Sequence, residues 1–266
     1  METFKNKVIW ITGASSGIGE ALSKAYAQAG ARLILSSRRT DALEQVKASL
    51  ALPEEKVLVL PLDLEQTNNF PELVQKAIAY FNRIDIVVHN GGISQRTKVQ
   101  DAPLALDHKV MAINYFGAVA LTKAVLPIML QQQSGHLVVI SSLVGKFGTP
   151  MRSAYAASKH ALHGFFDSLR AEVWRDKIEV TIICPGYIRT NISLNALNEE
   201  GKNYNKMDKN QANGMLPEEC AALILKAVAA GKPEVVIGGK ERFAVLVKRF
   251  APQLLSRLIR NINRNQ

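Results

Sequence analysis

The stretch Lys7-Val8-Ile9-Trp10-Ile11-Thr12-Gly13-Ala14-Ser15-Ser16-Gly17-Ile18-Gly19-Glu20 decides how the chain is read. Val8 to Thr12 is aliphatic and β-branched with little polar alternation, the pattern of a strand covered on both faces. Three glycines and two serines follow. Beyond them Ala21, Leu22, Ala25, Tyr26 and Ala29 recur at helical spacing, so the order is strand, tight turn, helix. Such a turn lets the backbone approach a pyrophosphate, and the helix N-terminus offers free N–H groups and partial positive charge to it. The spacing is G-x-x-x-G-x-G rather than G-x-G-x-x-G, and no Gly-Lys-Ser/Thr ending marks a P-loop. Gly13, Ser15, Ser16, Gly17, Ile18 and Gly19 are therefore candidate cofactor residues, set against a glycine-rich turn that holds no ligand.

Working outward, short apolar runs alternate with helical stretches along the whole chain: Lys7 to Thr12, Arg32 to Ser36, Val57 to Pro61, Ile84 to His89, His136 to Ser141, Glu179 to Cys184 and Glu234 to Ile237. This βαβ alternation predicts an α/β fold, a single Rossmann-type doubly wound parallel sheet of about seven strands with helices on both faces. No linker or internal repeat divides the 266 residues, so residues 1–266 read as one domain. Two segments leave the alternation. Residues 191–214 hold seven asparagines and few large apolar residues, and read as a mobile lid. Residues 240–266 form a basic extension in which Pro252 opens a helix carrying Leu254, Leu255, Leu258, Ile259 and Ile262 on one stripe.

Composition narrows the classes. Hydrophobic residues are 47% and charged residues 21%, enough for a sizeable core. Cys184 and Cys220 are the two cysteines, too few for a disulfide framework, and Cys184 ends an apolar run as a small buried residue. The start leaves no room for a signal peptide, and no apolar stretch reads as long enough to span a bilayer, so a cytoplasmic location is expected. Of the net charge of +10, residues 240–266 carry +6. That concentration is not a broad nucleic-acid face, and no zinc-finger or aromatic-basic signature accompanies it.

The chemistry belongs at the carboxyl ends of the strands. After the second strand, Ser36-Ser37-Arg38-Arg39 offers no carboxylate for an adenosine ribose. Arg38, with Ser37 beside it, would pair with a 2′-phosphate, which favours NADP(H) over NAD(H); the alternative is an arginine pair on a surface turn. Tyr155 and Lys159 lie one turn apart on a long helix, and Ser142 sits 13 residues upstream at the end of the fifth strand. A phenol with pKa near ~10 becomes a base at neutral pH only if lowered by ~3 units, which requires ~4 kcal/mol. One ammonium about 4 Å away supplies roughly that. Tyr155 is thus a candidate acid and base activated by Lys159, and Ser142 a hydrogen-bond donor to the same substrate oxygen. Strand alternation turns Ser141 away from that face. His160 and His163 are three apart, but no third ligand at recognisable spacing supports a metal, and none is expected.

These motifs, in this order, resemble the short-chain dehydrogenase/reductase family over most of the chain. Tyr155-Ala156-Ala157-Ser158-Lys159 matches its catalytic pair. The resemblance implies roles for Asp63 and Leu64 against adenine, for Asn90 in Asn90-Gly91-Gly92-Ile93, and for Asn114 in Asn114-Tyr115-Phe116-Gly117 as organiser of a proton relay to Lys159. Pro185-Gly186-Tyr187-Ile188-Arg189-Thr190 is similar to the segment that passes the nicotinamide, placing Pro185, Gly186, Ile188 and Thr190 among the cofactor residues. Gly91 stands where the family usually has alanine. The stretches quoted look most like a membrane-associated branch that includes dehydrogenase/reductase member seven and is related to the 11β-hydroxysteroid dehydrogenases, whose N-terminal anchor has no counterpart here. That branch implies a lipophilic carbonyl or alcohol, such as a steroid, retinoid, fatty or xenobiotic compound, and a homodimer or homotetramer. The basic C-terminal helix has two readings, peripheral contact with an anionic membrane or packing against another subunit. A catalytically idle dinucleotide sensor is the rival from another class, and it would not require Asn114, Ser142, Tyr155 and Lys159 together.

Overall fold

The computed structural model describes residues 2–260, and shows why β1 (Val8–Thr12) reads as it does. It lies between β2 (Arg32–Ser36) and β4 (Ile86–His89), with Ile9 opposite Leu33 on one side and Ile86 on the other. With β3 (Val57–Val59), β5 (Gly135–Ile140), β6 (Ile178–Pro185) and β7 (Glu234–Ile237), it forms an all-parallel sheet in the order β3-β2-β1-β4-β5-β6-β7. The winding direction reverses between β1 and β4, which opens a crevice at their carboxyl ends.

The helices are α1 (Gly17–Gln28), α2 (Thr40–Ser49), α3 (Phe70–Phe81), α4 (Leu104–Met111), α5 (Gly117–Gln132), α6 (Ser153–Val173), α7 (Lys209–Ala212), α8 (Pro217–Ala229), α9 (Phe243–Phe250) and α10 (Pro252–Ile259). Successive residues of a strand face opposite ways, so β1 feeds two cores. Ile9 and Ile11 meet Leu22 and Tyr26 of α1, Leu43 of α2 and Ile224 of α8. Val8 and Trp10 meet Phe70 of α3, Leu121 and Val125 of α5 and Phe166 of α6. Each such side chain contributes about 1.5–3 kcal/mol by leaving water, which explains the unbroken apolar character of the central strands.

One expectation changes. Leu104–Gln132 is one continuous helical run of 29 residues with mean hydropathy 1.5, long and apolar enough to cross a membrane by length and composition, contrary to the reading that no such stretch exists. Its apolar character has a packing cause, since Leu121, Val125 and Met129 are buried against the sheet. Residues 191–214 are tied to the loop after β4 through Leu197. Leu197 donates its N–H to the Ser94 carbonyl (2.9 Å) and accepts from the Arg96 N–H (2.8 Å), and Asn198 closes its own turn by accepting from Glu200 and Lys202. In the C-terminal extension α9 comes first, and Pro252 then opens α10 as expected. Its stripe divides, with Leu255 buried, Ile259 half-buried and Leu254 and Leu258 exposed, while Ile262 lies outside the described residues.

Candidate active site

The glycine turn is built as a cradle. Gly13 and Gly17 adopt φ of 65° and 59°, a region open to glycine. A Cβ at Gly13 would lie 2.8 Å from the Gly91 Cα, and one at Gly17 would lie 3.0 Å from Thr190, so the turn is pressed between the loops after β4 and β6. Gly19 has no room either, because a Cβ there would meet the Gly13 carbonyl. Ser16 precedes α1 in extended conformation with no side-chain cap bond, leaving first-turn N–H groups for an outside acceptor. Ile18 lines the crevice. Asn90 ties the ends of β1 and β4 together, its Nδ2 donating to the Thr12 and Gly13 carbonyls (3.0 and 3.2 Å) and its backbone N–H donating to Thr12 Oγ1 (3.0 Å). Leu64 fills the space beside Gly91 and Gly117, and a Cβ at Gly91 would lie 2.6 Å from the movable Leu64 Cδ1. Asp63 is half-buried and accepts from the Glu65 N–H (3.0 Å).

At the end of β2 it is Arg39, not Arg38, that reaches the turn, its Nη2 donating to Ser15 Oγ (3.3 Å). Ser37 Oγ accepts from the Arg39 N–H (3.2 Å), and Arg38 is exposed beside them. Ser37, Arg38 and Arg39 lie outside the cavity that holds Ser142, Tyr155 and Lys159.

That cavity, of about 430 Å³, is walled by Asn90, Ser142, Tyr155, Lys159, Pro185, Gly186, Ile188 and Thr190. Ser142 leaves β5 beside Tyr155, its hydroxyl donating to the Pro185 carbonyl (3.5 Å) and accepting from the Val144 N–H (3.3 Å). Lys159 is buried and donates to the Ile140 carbonyl (2.8 Å), with its Nζ 5.8 Å from the Tyr155 ring centroid. Burial pushes Lys159 down to about 8. Burial also raises Tyr155, offset by the Ser142 hydroxyl and by the guanidinium groups of Arg152 and Arg96. Desolvation thus favours the neutral phenol, and the charges that counter it come from Arg152 and Arg96.

Asn114 occupies a π turn, Ala112–Phe116, between α4 and α5. Its Oδ1 accepts from the Ile93 N–H (2.8 Å), and its Nδ2 donates to the Ile93 carbonyl (2.9 Å) and Ser158 Oγ (3.0 Å). A Cβ at Gly92 would lie 3.0 Å from Asn114 Oδ1 and 3.7 Å from Lys159 Nζ, so Gly92 lets the two approach one position. Thr190 accepts from Gln211 Nε2 (3.3 Å), which also bonds the Ile188 carbonyl.

Sequence reasoning missed several residues. Arg96 and Arg152 line the cavity and share Asp208 (3.8 and 2.7 Å); burial and the Arg152 charge lower Arg96 to about 10. They are distant in sequence from Tyr155 or outside any motif, so only the fold brings them together. Gln95, fully buried, caps α6 from afar by accepting from the N–H groups of Ala154 (2.9 Å) and Tyr155 (3.3 Å). Ser141 does turn away, bonding His163 Nε2 (3.0 Å) and the Lys159 carbonyl (3.2 Å). His163 has neighbours that spacing concealed: His163, Cys184 and Glu234 place ligand-type atoms within 4.8 Å of one another. The donors do not suit a cation. The Lys146 ammonium bonds both His163 Nδ1 (3.2 Å) and Glu234, and burial raises the Cys184 thiol to about 12.

A doubly wound parallel sheet with a glycine cradle at its switch point, and a phenol, hydroxyl and ammonium converging beside it, defines a dinucleotide-binding α/β oxidoreductase. Residues 7–201 match the short chain dehydrogenase family. The chain belongs to that family, whose members bind a nicotinamide dinucleotide. Among its relatives is the dehydrogenase/reductase SDR family protein 7-like of Drosophila melanogaster, 47% identical over 93% of this chain and 78% of the relative. Another is dehydrogenase/reductase SDR family member 7B of Bos taurus, 42% identical over 96% and 81% respectively. The crystal structure of a short-chain dehydrogenase from Streptomyces avermitilis shares the fold with a TM-score of 0.81 at 27% identity, covering 97% of each chain.

Proposed function

We propose that this protein is an NADP(H)-dependent oxidoreductase that interconverts a carbonyl and an alcohol on a lipophilic substrate, with Tyr155 as acid and base. The convergence of Ser142, Tyr155 and Lys159 on one cavity beside the Pro185 to Thr190 segment carries this reading. When bound, the reduced nicotinamide supplies hydride to the carbonyl carbon. Tyr155 gives its proton to the carbonyl oxygen, and Ser142 donates a hydrogen bond that stabilises the charge growing there. Burial favours this direction, because a phenol kept neutral is a donor. With Tyr155 raised and Lys159 lowered to about 8, the ammonium is the stronger acid of the two, so return of a proton to the phenolate runs downhill. Asn114, locked by Ile93 and Ser158, holds the place where the proton path leaves Lys159. Arg38 and Arg39, without a carboxylate between them, suit a 2′-phosphate. Leu143, Val144, Phe147 and Leu255 on the cavity wall suit an apolar substrate, with residues 191–214 as its lid.

The test is consumption of NADPH across a panel of carbonyl compounds, with Tyr155→Phe as control. The variant is expected to lose about 10²–10⁴-fold in kcat while still binding the nucleotide. Full turnover by the variant refutes the acid role, and tight nucleotide binding without turnover of any compound supports a sensor instead.

A further inference from the structure

The α9–α10 pair has an outer face that nothing in the described chain covers. Phe243, Leu246, Phe250, Leu254 and Leu258 are each more than half exposed on two consecutive helices. Scattered exposed leucines need no explanation, but a contiguous patch with two phenylalanines does. Around it stand Lys240, Arg242, Lys248, Arg249, Arg257 and Arg260, none of which has an ion-pair partner among the described residues. The segment's one acid, Glu241, is turned inward, where its carboxylate accepts from the Gly239 N–H (3.0 Å) and the Tyr187 N–H (3.2 Å) on the cavity wall. The outward side is therefore apolar and cationic with no countercharge of its own.

We infer that this face docks the protein onto an anionic lipid bilayer. Charge decides between the candidate occupants. A twofold contact between copies of this chain would set six cations against six in a self-complementary patch, and repulsion opposes it. Anionic headgroups neutralise the same six while the acyl boundary takes the apolar side chains, the arrangement of an interfacial amphipathic helix. The arginines are poised for it: the guanidinium of Arg242 lies 5.2 Å from the Phe243 ring centroid and that of Arg249 lies 5.8 Å from Phe250, so each aromatic that enters the boundary carries a cation at headgroup level. The inner side of the same pair walls the active-site cavity through Ala244, Leu255 and Ile259, and Leu258 both lines the cavity and is exposed. Docking by this face therefore sets the apolar end of the cavity against the bilayer, a route for a lipid-dissolved substrate. The docking itself depends on none of the chemistry proposed for Tyr155.

The full chain, mixed at low ionic strength with vesicles of phosphatidylcholine and phosphatidylglycerol in equal parts or of phosphatidylcholine alone, is separated by flotation. Binding to the anionic vesicles is expected, with at least about a tenfold preference over neutral ones and loss as salt rises. Phe250→Ser with Leu246→Ser, and separately Lys248→Gln with Arg249→Gln, should each weaken it about tenfold. Neither pair lines the cavity, so turnover of a water-soluble carbonyl should be unchanged. Failure to bind anionic vesicles, or equal binding by the variants, overturns the inference. So does a dimer in sedimentation that the Phe250→Ser and Leu246→Ser pair splits into monomers, since the face would then be a subunit contact.

Discussion

Arg39 shows how one side chain changes what the neighbouring turn can hold. Its guanidinium lies across the glycine cradle on Ser15, and its N–H is fixed by Ser37, while Arg38 stands exposed next to it. Two cations stand at the end of β2, where a ribose-binding carboxylate would otherwise sit, and this supports the proposal that a 2′-phosphate is held there. A hydrogen bond to a charged group is worth about 1.5–3 kcal/mol, or roughly 10- to 100-fold in affinity. Replacing Arg38 and Arg39 together by serine should therefore raise the Kd for NADPH by that factor and leave the Kd for NADH nearly unchanged. Fluorescence titration with the two reduced dinucleotides measures both. An equal loss for each would show that the arginines serve the shared pyrophosphate, and a wild-type preference for NADH would remove the 2′-phosphate reading.

At the scale of elements, α6 depends on a loop far from it in sequence. The residue before the helix, Arg152, makes no side-chain cap bond, yet Tyr155 lies in the first turn, where four N–H groups need acceptors. Gln95 supplies one from the loop after β4, and its Nε2 reaches Ser153 Oγ (3.3 Å). The same loop is bonded to Leu197 through Ser94 and Arg96, so the helix carrying Tyr155 and the segment over the cavity share one support. Gln95→Leu is nearly the same size and leaves two buried N–H groups without their acceptor, at about 1–3 kcal/mol each. Thermal unfolding should show a loss of about 2–6 kcal/mol. Because the first turn carries Tyr155, kcat should fall more than KM rises; a Tm and kcat both unchanged would mean that another group caps the helix. The π turn at Asn114 makes a related point. One extra residue in the α4–α5 run turns Asn114 from a surface position toward Ile93 and Ser158, a local unwinding that no periodicity in the sequence announces.

Over the whole molecule, legibility followed the range of the interactions. The seven-stranded parallel sheet, the glycine turn and the Tyr155–Lys159 pair were readable because they are local patterns whose spacing survives without coordinates, whereas the strand order is set by long-range pairing. The charges that oppose burial at Tyr155 were not, since Arg96 and Arg152 belong to loops joined only by the fold. Nor was the knot at the far edge of the sheet, where Glu234 at the start of β7 meets Lys146, from the turn after β5, and His163 of α6 (3.4 Å). This knot ties the edge strand to the catalytic helix, and it makes stability depend on pH in a definite sense. His163 and Lys146 hold Glu234 at about 2, below its ordinary 4.5. A carboxyl with a depressed folded-state pKa contributes its full stabilisation above the unfolded value and loses it as pH falls through the folded one. The contribution is therefore whole above about 4.5 and gone below about 2. Glu234 is about one-third exposed, so solvent screening reduces it to the order of 1 kcal/mol. Urea unfolding of the wild type and of Glu234→Gln should differ by that amount near neutral pH and converge as the pH approaches 2. A difference that persists undiminished in acid would show that Glu234 acts by packing rather than by charge.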